Sequence, residues 1–212
     1  MLSRTRLIVA MDMTDEKEAL AMAARLKDSV DAYKVNYPLA LSCCMEMVTK
    51  LSSFGSVICD FKVADIPNTN RLIVEQVVKR GAQGVIVHGF AGSDSVKACV
   101  DAAKGKDVYV VAEMSHPGGL EFTRDASDKV ALMAAKVGAS GLIVPATRPE
   151  RVAHFRKLAP SLRILATGVG AQGGSARDAI RAGADYVIVG RRIYEAEDPV
   201  ASAKKIIEEM KI

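Results

Sequence analysis

Short apolar runs that close on a polar or ionisable residue alternate along this chain with longer stretches in which apolar residues return every three or four positions. Leu7-Ile8-Val9-Ala10-Met11 closes on Asp12, Gly84-Val85-Ile86-Val87 on His88, and Tyr186-Val187-Ile188-Val189 on Gly190-Arg191. Runs of this length, bounded by turn residues, predict strands near 7–12, 32–37, 57–62, 84–89, 107–114, 141–146, 163–167 and 185–190. The helical spacing between them predicts helices over 15–28, 38–53, 67–80, 93–104, 125–137, 149–158, 175–182 and 199–210. Several of these carry a stop signal, as in Arg80-Gly81, Val137-Gly138 and Ala182-Gly183, because glycine takes the left-handed conformation of a helix C-cap at no steric cost. Eight strand and helix units in 212 residues predict an α/β fold, a closed (β/α)₈ barrel formed as a single domain over 1–212.

In such a barrel chemistry gathers at the strands' C-terminal ends, and the ionisable residues of this chain fall there. Alternate residues of a strand share a face, so Ile58, Asp60 and Lys62 point one way while Val57, Cys59 and Phe61 point the other. One face is apolar throughout and the other turns ionic at its end, within Asp60-Phe61-Lys62-Val63-Ala64-Asp65. Lys34 and Asn36 share a face in the second strand, Asp12 ends the first, and Glu113 and Ser115 end the fifth. A lone Asp–Lys pair reads most simply as a solvated strand end. Repetition over neighbouring strands favours a built site, in which alternating opposite charges limit the cost of burying each one. At the other side of the barrel mouth, Thr167-Gly168-Val169-Gly170-Ala171-Gln172-Gly173-Gly174 follows the seventh strand and Gly190-Arg191-Arg192 the eighth. Glycines let backbone N–H groups approach an anion, and a guanidinium fork matches phosphate oxygens, so Gly168, Gln172, Gly190 and Arg191 are candidate phosphate ligands.

Composition narrows the partners. Lys and Arg number 29 against 25 Asp and Glu, a net charge of +4, but the basic residues are scattered and aromatics make up only 5%. A nucleic-acid platform needs a basic face interleaved with aromatics, so no nucleic-acid partner is expected. The cysteines at 43, 44, 59 and 99 have no CxxC spacing and no His at ligand spacing, which suggests neither a zinc site nor a disulfide framework. No run approaches the roughly 18 apolar residues of a membrane span, and the start of the chain lacks a signal-peptide core, so the expected location is cytoplasmic. His88 reads as a core imidazole hydrogen-bonded to backbone, and neither His116 nor His154 is given a chemical role.

Together these segments resemble orotidine 5′-phosphate decarboxylase in its shorter archaeal form, over nearly the whole chain. The resemblance rests on Ala10-Met11-Asp12, Lys34-Val35-Asn36-Tyr37-Pro38, Asp60 to Pro67, Val87-His88-Gly89-Phe90, Glu113 to Gly118, Gly168 to Gly174 and Gly190-Arg191. It implies a homodimer that decarboxylates orotidine 5′-monophosphate to UMP without metal or cofactor. Lys62 is then the proton donor to C6 and Asp60 faces the departing carboxylate. Lys34 and Asp12 complete the charge network and touch the ribose. Asp65 is the last catalytic member of an alternating Lys34, Asp60, Lys62, Asp65 network and, with Ile66 and Thr69, is presented to the active site of the partner subunit, while Ser115 reads the pyrimidine edge and Gln172, Arg191 and the loop amides hold the phosphate. Thr167 stands where the family has proline, and Arg192 where it often has serine. Two other readings stay open: a magnesium-dependent sugar-phosphate enzyme of the hexulose-phosphate synthase type, which shares D-x-K-x-x-D but has glutamate at the position of Lys34, and a non-catalytic phosphate-binding barrel.

Overall fold

The computed structural model describes residues 4–211. Eight parallel strands, β1 (Leu7–Met11), β2 (Ala32–Asn36), β3 (Ser56–Val63), β4 (Gly84–His88), β5 (Asp107–Val111), β6 (Gly141–Pro145), β7 (Arg163–Thr167) and β8 (Tyr186–Val189), pair in sequence order, and β8 closes onto β1. The helices are α1 (Glu16–Leu26), α2 (Tyr37–Cys43), α3 (Glu46–Ser52), α4 (Pro67–Lys79), α5 (Ser93–Ala102), α6 (Gly119–Lys136), α7 (Pro149–Leu158), α8 (Ala176–Arg181), α9 (Arg191–Tyr194) and α10 (Pro199–Glu209), with a 3₁₀ turn at Gly89–Ala91.

The period-2 pattern of the strands sorts their side chains into two cores. Ile8, Ile58, Ile86, Tyr109, Ile143, Leu165 and Ile188 fill the barrel interior. Their neighbours in sequence, including Leu7, Val9, Val57, Cys59, Val85 and Val187, pack outward against the helices. Both faces of the sheet are therefore buried, which is why its strands read as continuous apolar runs rather than as alternating ones. At the N-terminal end of the barrel, Tyr109 donates to Asp107 at 3.0 Å, Arg163 pairs with Asp107, and the Arg163 guanidinium lies 5.6 Å from the Tyr109 ring centre. A side chain at Gly141 would collide with the Arg163 carbonyl and the Tyr109 ring, so the close approach of β6 and β7 requires glycine there.

Two helices differ from the sequence reading. The helix expected over 38–53 is α2 and α3, broken at Cys44, whose φ of 64° leaves the helical region. Ser42 donates to the Pro38 carbonyl at 2.7 Å, a local bond of the kind that lets serine compete with helix continuation. The helix expected from 125 begins at Gly119, where a Cβ would lie 2.8 Å from the Met114 carbonyl, so the glycine that suggests a loop is the residue that lets α6 start against the end of the fifth strand's loop. Strand five likewise stops at Val111 rather than at 114.

Candidate active site

The C-terminal mouth of the barrel holds a cavity of about 270 Å³. Its floor is the top of the interior core, Ala10, Ile86, Ile143 and Ile188, and its walls carry Asp12, Lys34, Asp60, Lys62, Ser115, Gly168, Gln172, Gly190 and Arg191. Strand alternation delivers Lys34 from β2 and Asp60 and Lys62 from β3 to this face.

Asp60 is the centre of the ionic side. Lys34 Nζ donates to its Oδ2 at 2.9 Å and Lys62 Nζ to its Oδ1 at 2.8 Å, so both oxygens are engaged by cations. Asp12 Oδ1 lies 3.8 Å from Lys34 Nζ, and the charges alternate Asp12, Lys34, Asp60, Lys62. The Lys34 and Asp60 side chains are 6% and 8% exposed and that of Lys62 31%, which makes Lys62 the cation facing the open cavity. Burial alone would raise the Asp60 pKa, but the charges and hydrogen bonds of the two lysines outweigh it and hold the carboxyl below its ordinary range. The buried Asp12 Oδ1 accepts no hydrogen bond among the described residues.

Lys62 has a φ of 42°, a strained value for a residue with a side chain. It lies where the β3–β4 register shifts: Cys59 pairs with Val85 and Val63 with Val87, so β3 advances four residues while β4 advances two. Two extra residues of β3 fall within this shift, and bulges of this kind recur beside functional sites where they re-aim a side chain.

The opposite wall is built from glycine. Gly168, Gly170 and Gly173 take φ values of 90°, 78° and 87°, and the loop closes through the Gly170 N–H to Gly174 O bond at 2.9 Å and the Gly174 N–H to Gly168 O bond at 3.0 Å. Ser115 donates to Gln172 Oε1 at 2.7 Å, which joins this loop to the one after β5. Arg191 stands exposed at the rim. Arg192 points the other way, with its stem under Gly170 and its guanidinium paired with both carboxylate oxygens of Glu209, at 3.0 Å and 2.5 Å.

Asp65, Ile66 and Thr69 do not line the cavity. Asp65 and Ile66 are exposed on the loop after β3, and Asp65 Oδ1 accepts from the Ile66 N–H at 2.7 Å. Within one chain the ionic network therefore includes Asp12 and not Asp65. His88 also differs from expectation. Its buried Nδ1 has no hydrogen-bond partner among the described residues, and its ring packs on Phe90 with centres 4.6 Å apart. Burial and the nearby Lys62 charge, opposed by Asp60, push its pKa down to about 4, so the imidazole is neutral at pH 7. Tyr194 lines the cavity and escaped the sequence reading, because α9 is a four-residue helix too short for periodicity to reveal. Asn36 faces the cavity as its strand position implies, but its side chain caps α2 by accepting from the Tyr37 N–H at 2.7 Å. Among the described residues no cluster of three or more His, Cys, Asp or Glu side chains is arranged to hold a metal ion, and no helix is long and apolar enough to cross a membrane.

The sequence profile of the orotidine 5′-phosphate decarboxylase / HUMPS family matches residues 5–206. The chain belongs to this family. It is 56% identical over 209 residues to the orotidine 5′-phosphate decarboxylase of Methanosarcina mazei, covering 97% of this chain and 95% of that protein. Against the enzyme of Thermococcus kodakarensis the identity is 46% over 212 residues, with 99% and 98% covered. Among solved structures, orotidine 5′-monophosphate decarboxylase from Methanocaldococcus jannaschii, complexed with the inhibitor BMP, superposes with a TM-score of 0.93 at 44% identity, covering 97% of this chain and 98% of that one. This chain and that structure thus share one fold over nearly their whole length.

Proposed function

We propose that this chain removes CO₂ from orotidine 5′-monophosphate to give UMP, the closing step of de novo pyrimidine nucleotide synthesis, without metal or cofactor. The observation that carries the reading is Asp60 held between Lys34 and Lys62 on one wall of the cavity, with a glycine loop and Arg191 on the other. The spacing suits a nucleotide whose reacting ring meets the ionic wall and whose phosphate meets the loop.

When the C6–carboxylate bond breaks, its electron pair stays on C6 in the plane of the ring, where no π-system accepts it. A fixed cation beside that carbon is the available stabiliser, and Lys62, the lysine open to the cavity, supplies it. CO₂ leaves, an N–H proton of Lys62 passes to C6, and the amine recovers a proton from solvent. Asp60, itself braced by Lys34, holds Lys62 aimed into the cavity and faces the departing carboxylate. Asp12, on the cavity wall beside Lys34, is suited to a ribose hydroxyl. Ser115 meets the pyrimidine edge, and Gly168, Gln172, Gly190 and Arg191 hold the phosphate, whose binding energy closes the loops over the ring.

The outward Asp65, Ile66 and Thr69 complete the site of a second subunit in a homodimer. Ile66 itself, with Tyr37, Leu41, Leu72 and Phe90, is an exposed apolar side chain suited to burial in such an interface. The test is loss of orotidine 5′-monophosphate absorbance on adding chelator-treated protein. Turnover supports the proposal. Activity that appears only with magnesium moves the chain to the sugar-phosphate reading, and binding without turnover to the non-catalytic one.

A further inference from the structure

The loop that carries Asp65 and Ile66 runs from the end of β3 to Pro67, and two buried polar side chains grip it from beneath. Asn70 is fully buried in the first turn of α4. Its Oδ1 accepts from the Asp65 N–H at 3.0 Å, and its Nδ2 donates to the Asp65 carbonyl at 3.0 Å. One side-chain amide thus pairs with both backbone polar groups of one residue, as an adjoining strand does. Ser95 of α5, 2% exposed, closes the ring: its hydroxyl donates to the same Asp65 carbonyl at 2.9 Å and accepts from Asn70 Nδ2 at 2.6 Å.

Asn70 and Ser95 are buried polar side chains with their bonds directed at the Asp65 backbone. Moving the loop would strand an amide and a hydroxyl away from water, which is costly, so the clasp fixes the Asp65 backbone in one place. The Asp65 carboxylate and the Ile66 side chain then project from a fixed base, although both are exposed. A strained residue three positions earlier, Lys62 at φ 42°, gives the same segment a reason to relax if released.

We infer that Asn70 and Ser95 are positioning residues that hold the Asp65 carboxylate in the geometry needed to complete the partner subunit's active site, an inference that rests on the shared-site reading above. The clasp is local to one chain, whereas its effect is read out in the other. Pre-organising the loop removes the ordering that each Asp65 would otherwise undergo when the neighbouring site closes.

Ser95→Ala, made in the wild-type chain and in Asp65→Ala, tests this in the dimeric enzyme by kcat/KM and by Tm. The clasp predicts a loss of about tenfold in kcat/KM in the wild-type background and less than about twofold when Asp65 is already gone, because Ser95 acts through Asp65. The fall in Tm should be the same in both backgrounds, as lost backbone support does not depend on the carboxylate. Asn70→Ser should show the same pattern with a larger loss. Equal fold losses in both backgrounds, or a lower Tm with unchanged kcat/KM in the wild-type background, would overturn the inference. Wild-type activity in Asp65→Ala alone would instead overturn the shared-site reading beneath it.

Discussion

Replacing Asp60 with asparagine removes the charge that two ammonium groups share while keeping a side chain of nearly the same shape. Lys34 and Lys62 approach opposite oxygens of that carboxylate at 2.9 Å and 2.8 Å. Two such contacts and the width of a carboxylate leave the ammonium groups about 6 Å apart, where they repel by about 3 kcal/mol at an effective dielectric constant near 20. Removing one partner of a buried pair costs about 3–5 kcal/mol. The lower end applies, because the Lys62 side chain is 31% exposed and can be hydrated from the cavity. A loss of about 3 kcal/mol lowers the Tm of a chain this size by roughly 6–12 °C. Lys62→Ala is the control: Asp60 keeps Lys34, and the expected change is within about 1 kcal/mol. The penalty for Asp60→Asn must also depend on pH. The carboxyl has a lowered pKa in the folded protein, so its stabilisation is full above the unfolded value of about 3.9 and is lost as pH falls through the folded value. Urea unfolding of wild type and variant should show the full gap at pH 7 and a narrowing gap below about pH 4. Equal stabilities at pH 7, or a gap indifferent to pH, would refute the account of Asp60 as the shared counter-charge.

Three further outcomes are expected. Arg191→Ala should sharply reduce kcat/KM for the nucleotide while scarcely changing the slow reaction of the nucleoside that lacks phosphate, and an equal loss on both would make Arg191 a structural residue. Glu209→Gln weakens the Arg192 pairing that underlies Gly170, so KM for the nucleotide should rise several-fold with little change in the nucleoside reaction, as steady-state kinetics on both substrates would show. Co-refolded Lys62→Ala and Asp65→Ala chains should recover roughly a quarter of wild-type activity, since half the dimers are mixed and each has one intact site in two. Subunit exchange shown by mass spectrometry without recovered activity would assign Asp65 to its own chain.

Much of this architecture was legible because two simple periods operate. The strand alternation that separates Ile58 from Cys59 into inner and outer cores also places Asp60 and Lys62 in the cavity, and the glycines after β7 announce a loop whose φ values are positive. What escaped depends on contacts between distant segments or on single dihedral angles. The break at Cys44, the start of α6 beneath Met114 and the bulge that gives Lys62 its φ leave no mark on hydrophobic periodicity. Asn70 and Ser95 lie 25 residues apart and look like ordinary polar positions near helix starts until the fold brings both to the Asp65 carbonyl. That His88 Nδ1 has no partner among the described residues was equally hidden, because a strand-end histidine ordinarily finds a backbone acceptor.

The central claim is that Lys62 delivers the proton to C6, and turnover of orotidine 5′-monophosphate by Lys62→Ala tests it most directly. The variant should remain folded, with a Tm close to wild type, and lose nearly all decarboxylation, because one substitution takes away both the proton and the carbanion's counter-charge. A folded Lys62→Ala chain with near-wild-type turnover would contradict the account.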